Sequence, residues 1–419
     1  MDRTGVESYH TSSTPQTVNP FQRMADLRKT IEEKAKYHFD YMVQTRRYLH
    51  KNPEISFKEF ETTDYIIHEL KKLGIETHRP LETGCVGVIE GGKTSDRVIA
   101  LRADIDALEM EEEGEAKIQF ISERPGAAHC CGHDAHTANL LGAAHILTEM
   151  QDEIEGKILL IFQPAEESLP GGGRLLSESG FLQEYGVQAI YGLHTNPTHK
   201  PGTIATKPGP LMARPDEFEI TIKGTGGHAA SPHLTVDPIV LLGQVITQFQ
   251  TIISRSVDPT DPAVVTIGRV RAGSTYNVIP AKAELIGTVR TFSQENAYLI
   301  RDRMEAILKG VAEGSGGGYE FEFNEGYPAV VNNAELTDRI IKTARTYLGD
   351  DGVIELKKPI MAGEDFAFYQ QHFPGAFFFL GSGSEEADSQ WSWHHPRYNV
   401  DEKCMLTGSA LMAGLVLGE

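Results

Sequence analysis

The chain has 419 residues, too many for one ordinary hydrophobic core, so two domains are expected. Its 39 Lys and Arg stand against 59 Asp and Glu, a net charge of -20 that repels phosphate backbones and anionic lipid and argues against nucleic acid and membranes as partners. Four cysteines, Cys85, Cys130, Cys131 and Cys404, are too few and uneven for a disulfide framework; with no apolar run of about 18 residues and no signal-peptide core in the polar first stretch, they predict a cytoplasmic protein.

Residues 1–20, rich in Ser, Thr and Pro, read as a loose arm. Residues 21–49 carry Ile31, Ala35, Phe39 and Met42 at helical spacing, which predicts one long helix stopped by Asn52-Pro53. Residues 57–73 predict a second helix, with Thr62 and Thr63 in its first turns and Gly74 as its end signal. Strands follow at 85–90 and 97–102, and Gly91-Gly92-Lys93-Thr94-Ser95-Asp96 predicts a turn joining them as neighbours. That stretch also satisfies a phosphate-loop pattern from Gly87 to Thr94. Such a loop must leave a strand and open a helix, whereas Gly87 lies inside a strand and Ser95-Asp96 leads into another, so nucleotide binding is not expected.

The strand at 98–102 delivers Asp104 and Asp106 to its end, where open α/β sheets place ligands, although two acids there are also an ordinary turn signal. The tract His129-Cys130-Cys131-Gly132-His133-Asp134-Ala135-His136 then crowds three histidines, two thiols and a carboxylate into eight residues. Thiolate and imidazole together suit zinc and its first-row neighbours, and a carboxylate beside them can fix the tautomer of a ligating histidine. Cys131 and His133, two apart, would face one side of an extended segment. A core cysteine pair with surface histidines is the competing reading. The tract opens a helix predicted over 137–150, with Leu140, Leu141, Ala144 and Leu147 at helical spacing, and that position favours a site.

A buried strand at 157–162 stops at Gln163-Pro164-Ala165-Glu166-Glu167. Neighbours on a strand face opposite sides, so Glu166 and Glu167 serve one site only if the strand has ended, as Pro164 suggests. One carboxylate could then bind metal while the other faces the reacting water; a solvated acidic pair is the alternative. Another buried strand, 189–193, ends in His194. Strands alternating with helices and ending in polar ligands predict an α/β fold, a doubly wound, mostly parallel sheet with helices on both faces.

From about Met212 the order becomes strand 217–223, helix 237–255, strands 263–271 and 283–291, helix 294–312 and strand 319–324, a βαββαβ ferredoxin-like sandwich inserted into the first domain. Its Gly224-x-Gly226-Gly227-His228-Ala229 imitates a dinucleotide fingerprint, but Pro232 and Asp237-Pro238 delay the next helix, so a turn presenting His228 is expected. The chain returns after Gly326-Tyr327-Pro328 with a helix at 336–348, acidic Gly363-Glu364-Asp365 after a strand-like run, and an apolar strand at 376–381. Trp391-Ser392-Trp393-His394-His395-Pro396 precedes a last helix over 401–417, in which Cys404 reads as core.

Taken in order, these motifs resemble the metal-dependent amidohydrolases of the M20 peptidase clan, in the branch holding auxin-conjugate hydrolases, hippurate hydrolases and N-acyl-amino-acid deacylases. The resemblance runs from about Arg46 to the C-terminus, through Arg47-Tyr48-Leu49-His50, Arg102-Ala103-Asp104-Ile105-Asp106, the Cys/His tract, Gln163-Pro164-Ala165-Glu166-Glu167, Gly192-Leu193-His194, Gly227-His228-Ala229-Ala230, Asn277-Val278-Ile279-Pro280, Gly363-Glu364-Asp365-Phe366 and His394-His395-Pro396. It implies a metal-binding catalytic domain over 1–210 and 328–419 and a lid and dimerisation domain over 211–327. It implies Cys131, His133, Glu167, His194 and His394 as ligands of two divalent metal ions, zinc first, with manganese, cobalt or nickel as alternatives. Glu166 would be the general base for the activated water, and His228 a donor to the reacting carbonyl, often in the neighbouring subunit's site. The implied reaction is hydrolysis of the amide bond of N-acyl amino acids or related acyl conjugates, in a homodimer or higher homo-oligomer; a two-metal dipeptidase or aminopeptidase for short peptides is the alternative. Cys130 stands where the family has a small residue, Glu109 where it has a proline, and Ser168-Leu169-Pro170 interrupts a glycine run; none is a proposed ligand. His394 is preferred to His395 for its distance from Pro396.

Overall fold

A computed structural model describes residues 20–418, so the arm expected at the start of the chain lies outside the described residues but for Pro20. The single long helix expected at 21–49 is two, α1 (Pro20–Tyr37) and α2 (Phe39–Lys51). His38 breaks it. Its Nε2 meets Glu149 Oε1 at 2.8 Å and its ring lies on His145 at 4.5 Å, while the main-chain bonds His38 N to Lys34 O and Met42 N to His38 O, both 3.0 Å, carry the chain across the kink. There follow α3 (Phe60–Lys72), β1 (Glu76–His78), β2 (Cys85–Glu90), β3 (Lys93–Asp104), α4 (His133–Glu149), β4 (Glu155–Gln163), α5 (Gly172–Glu178), α6 (Phe181–Tyr185), β5 (Ala189–Asn196), β6 (Ile204–Thr206) and β7 (Gly209–Met212).

These strands, with β15 (Val353–Glu355) and β16 (Gly375–Gly381), build an eight-stranded sheet in the order β1-β2-β4-β3-β5-β16-β6-β15; β7 pairs instead with β14 (Val330–Asn332). Its centre, β4-β3-β5-β16, is parallel. Helices cover both faces, as the doubly wound expectation requires. One face packs Ile31, Met42, Leu140, Leu147, Ile340 and Leu411 into one core, drawing on α9 (Ala334–Leu348) and α11 (Cys404–Leu417); the other packs Leu176, Leu182, Phe366 and Tyr369, the last from α10 (Ala367–Gln370). Cys404 is fully buried in the first core.

Two local expectations fail. β2 and β3 are not neighbours, because β4 lies between them, antiparallel to β2 and parallel to β3. The supposed turn is only Gly91-Gly92, whose N–H groups donate to Gly156 O and Gln151 O at 2.7 and 2.9 Å, and β3 already begins at Lys93. His194 does not end its strand either, since β16 keeps pairing with β5 as far as Asn196 opposite Gly381.

The second unit has β8 (Arg214–Lys223), β9 (Gly227–His228), α7 (Pro238–Arg255), β10 (Val264–Ala272), β11 (Val278–Ile279), β12 (Lys282–Thr291), α8 (Gln294–Ser315) and β13 (Gly318–Asn324). Its antiparallel sheet, β10-β12-β8-β13, has the order expected of a βαββαβ sandwich. β8 alternates because one face, Phe218, Ile220 and Ile222, meets Val245 and Phe249 of α7 and Met304 and Leu308 of α8. No described helix is long and apolar enough to cross a membrane.

Candidate active site

The site forms where β3, β4, β5 and the start of α4 meet. Cys131 and His133 do converge, though not on an extended segment. Gly132 between them is left-handed at φ 99, and a Cβ there would lie 2.4 Å from Thr195 Oγ1 and 2.8 Å from Tyr398 Oη, so only glycine permits the turn. Cys131 Sγ then lies 3.3 Å from His194 Nε2.

Three groups of ligand atoms each fall within 4.8 Å of one another: Cys131, His133 and His194; Cys131, Glu167 and His394; and His133, Glu166 and Glu167. The structure thus brings together the five expected ligands and the expected base, with Cys131 common to the first two groups.

His133 and His194 are each held by the other ring nitrogen. His133 Nδ1 donates to Asp106 O at 2.9 Å, with Asp106 Oδ1 at 3.2 Å, and His194 Nδ1 donates to Thr195 O at 2.8 Å, a carbonyl that also accepts Trp393 Nε1 at 2.8 Å. Both Nε2 atoms are thereby turned into the site. Glu167 N donates to Asp106 Oδ2 at 3.0 Å. His394 adopts φ 62, its N donates to Cys130 O at 2.8 Å, and its half-exposed ring sets Nε2 3.1 Å from Glu167 Oε1. Asp134, expected to orient a ligand, turns away to Arg46 Nε and His50 Nδ1, both 2.7 Å from its Oδ2; main-chain carbonyls and Asp106 do that work instead.

His133 Nε2 is buried without a hydrogen-bond partner, 3.9 Å from Glu167 Oε1, whose own near neighbour is His394 Nε2 at 3.1 Å. Such an orphan costs about 1–3 kcal/mol, and a cation between lone pairs of sulfur, nitrogen and oxygen removes that cost, so the donor set fits a divalent metal. A further group, Asp104, His133 and His136, does not. His136 Nδ1 bonds Asp104 Oδ1 at 2.6 Å and its Nε2 accepts Thr195 N at 2.8 Å, while Asp104 Oδ2 accepts Arg102 Nη1 at 2.7 Å. Its lone pairs are spent on bracing the sheet.

The charge balance points the same way. Burial raises the Glu166 carboxyl well above the usual range, and Glu364 and Glu167 add to it. Burial lifts Asp365 to about 8 against the pull of Arg102. Burial also pushes the Cys131 thiol well up, with Glu167 and Glu166 beside it, and His194 well down. Burial opposes charge on His133, but Asp104 and Asp106 overcome it and bring the imidazole to about 10. The fully buried Arg102 is a cation shared among these acids: Nη1 to Asp104 Oδ2 and Nη2 to Asp365 Oδ1 at 2.7 Å, Nη2 to Glu364 Oε1 at 2.9 Å, and Nε to Gln163 Oε1 at 2.9 Å.

His228 is exposed on β9, its Nδ1 accepting Ala230 N at 3.0 Å, and none of its contacts reaches the cluster within this chain. His129 is buried, which lowers it to about 4, and His395 stacks on Trp391 at 4.5 Å, so neither joins the cluster. Sequence reasoning gave no role to Arg102, Asp106, Glu364 or Asp365. Arg102 carries the readable signal, since an arginine inside a buried apolar strand must be paired.

The profile of Peptidase family M20/M25/M40 matches residues 100–418. An N-acetylcysteine deacetylase of Bacillus subtilis is 41% identical over 90% of this chain and 96% of its own length. Thermostable carboxypeptidase 2 of Saccharolobus solfataricus is 37% identical over 94% of this chain and 98% of its own. The crystal structure of the Bacillus subtilis YXEP protein, described as a dinuclear metal-binding peptidase of family M20, superposes with a TM-score of 0.77 at 37% identity, covering 91% of this chain and 98% of that one. The two-unit fold, the cluster of sulfur, nitrogen and oxygen ligands and these likenesses agree: the chain belongs to peptidase family M20/M25/M40, whose members are metal-dependent hydrolases of amide bonds.

Proposed function

We propose that the protein hydrolyses the amide bond of N-acyl amino acids, with two divalent metal ions held by Cys131, His133, Glu167, His194 and His394 and with Glu166 as the general base. The observation that carries this reading is the buried Glu166 carboxyl, of raised proton affinity, set beside the orphaned His133 Nε2 and the Glu167 carboxylate. Bound cations of this kind act as Lewis acids that acidify a water and polarise a carbonyl, zinc being the first candidate for a set of one thiolate, three imidazoles and a carboxylate. Glu166 takes the proton of the attacking water as the new C–O bond forms and returns it to the departing nitrogen as the C–N bond breaks, leaving a carboxylic acid and a free amine. Asp106, Thr195 and Cys130 hold the ligand side chains in place through the bonds described above.

The chain divides for this purpose into a catalytic part, 1–210 and 328–419, and a lid, 211–327. His228, exposed on the lid, would serve a second copy of the chain as donor to the scissile carbonyl. The exposed apolar side chains of Ile239, Val240, Val264, Val270, Tyr276 and Val278, around the free edge of β10, support a homodimer through the lid. The free thiols suit a reducing cytoplasm.

The deacetylase likeness favours acyl-amino-acid substrates, and the carboxypeptidase likeness keeps short peptides as a second reading. N-acetyl, N-benzoyl and indoleacetyl amino acids, compared with free dipeptides in the presence of zinc, manganese, cobalt or nickel, separate the two. Amino-acid release from the acyl series is expected; cleavage of dipeptides alone selects the peptidase, and no turnover in either series removes the proposal. Glu166→Gln is expected to keep its metals and lose about 10²- to 10⁴-fold in kcat.

A further inference from the structure

The loop carrying Glu166 is held from the joint between the two units. After β4 ends at Gln163 the chain turns through Ala165 at φ 51, a conformation that L side chains rarely adopt, so no regular element fixes the next residue. Ala165 N donates to Glu59 Oε1 at 2.8 Å and Gly172 N to Ala165 O at 2.9 Å, both from within the large unit. Two contacts reach Glu166 itself: Asp365 N, from the large unit, donates to its Oε1 at a long 3.4 Å, and the second comes from elsewhere. The Tyr327 hydroxyl donates to the Glu166 main-chain oxygen at 2.5 Å, and Tyr327 lies on the segment by which the chain leaves β13 and returns to the large sheet. The tyrosine is 9% exposed, its ring edge-on to Phe368 at 5.9 Å. Gly171, at φ 88, makes room for it: an added Cβ would lie 3.3 Å from Tyr327 Cε1 and 2.9 Å from Asp365 Oδ2.

That returning segment is clamped to the outgoing one. Arg214 Nε donates to both Asp216 oxygens at 2.9 and 2.8 Å, Arg214 Nη2 to Glu325 Oε2 at 2.8 Å, and Gly326 N to Asp216 Oδ1 at 2.9 Å. Arg214 and Asp216 are buried, so the two connections move as one piece and carry Tyr327 with them. A cleft of about 440 Å³ lies beside that joint, lined by Arg174 and Phe368 on one side and Phe292 and Gln294 on the other.

The geometry points to Tyr327 as a positioning residue that aims the Glu166 carboxylate through its own backbone and makes proton transfer depend on how the lid's joint is seated. This rests on the reading of Glu166 as the base. A tyrosine that merely fills space would act on stability or on substrate binding; one that aims the base acts on kcat and acts through Glu166.

Four enzymes test it, each loaded with metal and its metal content measured: the parent, Tyr327→Phe, Glu166→Gln, and the double variant. Tyr327→Phe is expected to lower kcat about tenfold to a hundredfold, with KM and bound metal within about twofold, because small misplacements of a reacting group cost that much. In the Glu166→Gln background the same change should cost less than about twofold. The proposal is overturned if Tyr327→Phe leaves kcat within twofold, if it raises KM alone, or if it costs the same factor in both backgrounds. Glu166→Gln as fast as the parent would remove the base itself, a result read from a different pair of enzymes. Should Tyr327→Phe not fold, a ring-fluorinated tyrosine at 327 keeps the shape and strengthens the donor; more than a twofold change in kcat at constant KM is then expected, and an unchanged kcat overturns the proposal.

Discussion

Replacing Arg102 with methionine removes a guanidinium that is fully buried and contacts three carboxylates within 2.9 Å. Deleting one partner of a buried ionic cluster costs about 3–5 kcal/mol, because the remaining charges are left without compensation. Here the cost depends on pH in a definite direction. Glu364 and Asp365 are already raised in the folded protein, Asp365 to about 8, and Arg102 is the group that restrains both. Without it their folded pKa values rise further. A carboxyl raised above its unfolded value adds stability while it is protonated and loses it as pH climbs through the folded value. Asp365 stays protonated in both proteins until pH nears 8, where the parent's carboxyl ionises and the variant's does not, so the gap widens between about pH 7 and about pH 9 and reaches about 3–5 kcal/mol at the upper value. Urea unfolding of both proteins in chelator, monitored by circular dichroism at the two pH values, measures it. An equal gap at both, or one below about 1 kcal/mol at about pH 9, would refute the view that Arg102 balances the acids around Glu166.

The ligand set leads to two further outcomes. In the metal-free protein burial keeps the Cys131 thiol protonated and its carboxylate neighbours hold a proton on His133 up to about 10, so metal uptake must release protons and apparent affinity should rise from pH 6 to pH 8; calorimetry in buffers of different ionisation heat checks it, and a flat dependence would contradict the assignment. Asp106→Asn weakens the hold on both His133 and Glu167, and metal affinity should fall about 10- to 100-fold by competition with a chelator; unchanged affinity would mean that Asp106 orients neither.

The fold was largely readable because its elements announce themselves locally. The apolar run of β4 and the strict alternation of β8 each have one physical solution, and neither misleading glycine motif opens directly into a helix, which rightly sets both aside. The failures share a cause. His38 breaks a helix because Glu149, far along the chain, attracts it, and β2 and β3 are parted because β4 arrives later to sit between them. Local pattern does not contain either fact. The same limit applies at the site. Cys131, His133, Glu167, His194 and His394 could be gathered by chemistry and family likeness, whereas Asp134 was given a role that Asp106 and main-chain carbonyls perform. Tyr327 shows nothing in sequence, since its hydroxyl meets a backbone oxygen rather than a chemical partner.

Anomalous scattering from crystals grown with a single divalent metal bears most directly on the central claim. Two ion peaks are expected, contacted by Cys131, His133, Glu167, His194 and His394, with the Glu166 carboxylate close by and bound to neither. One peak only, or Glu166 itself as a ligand, would contradict it.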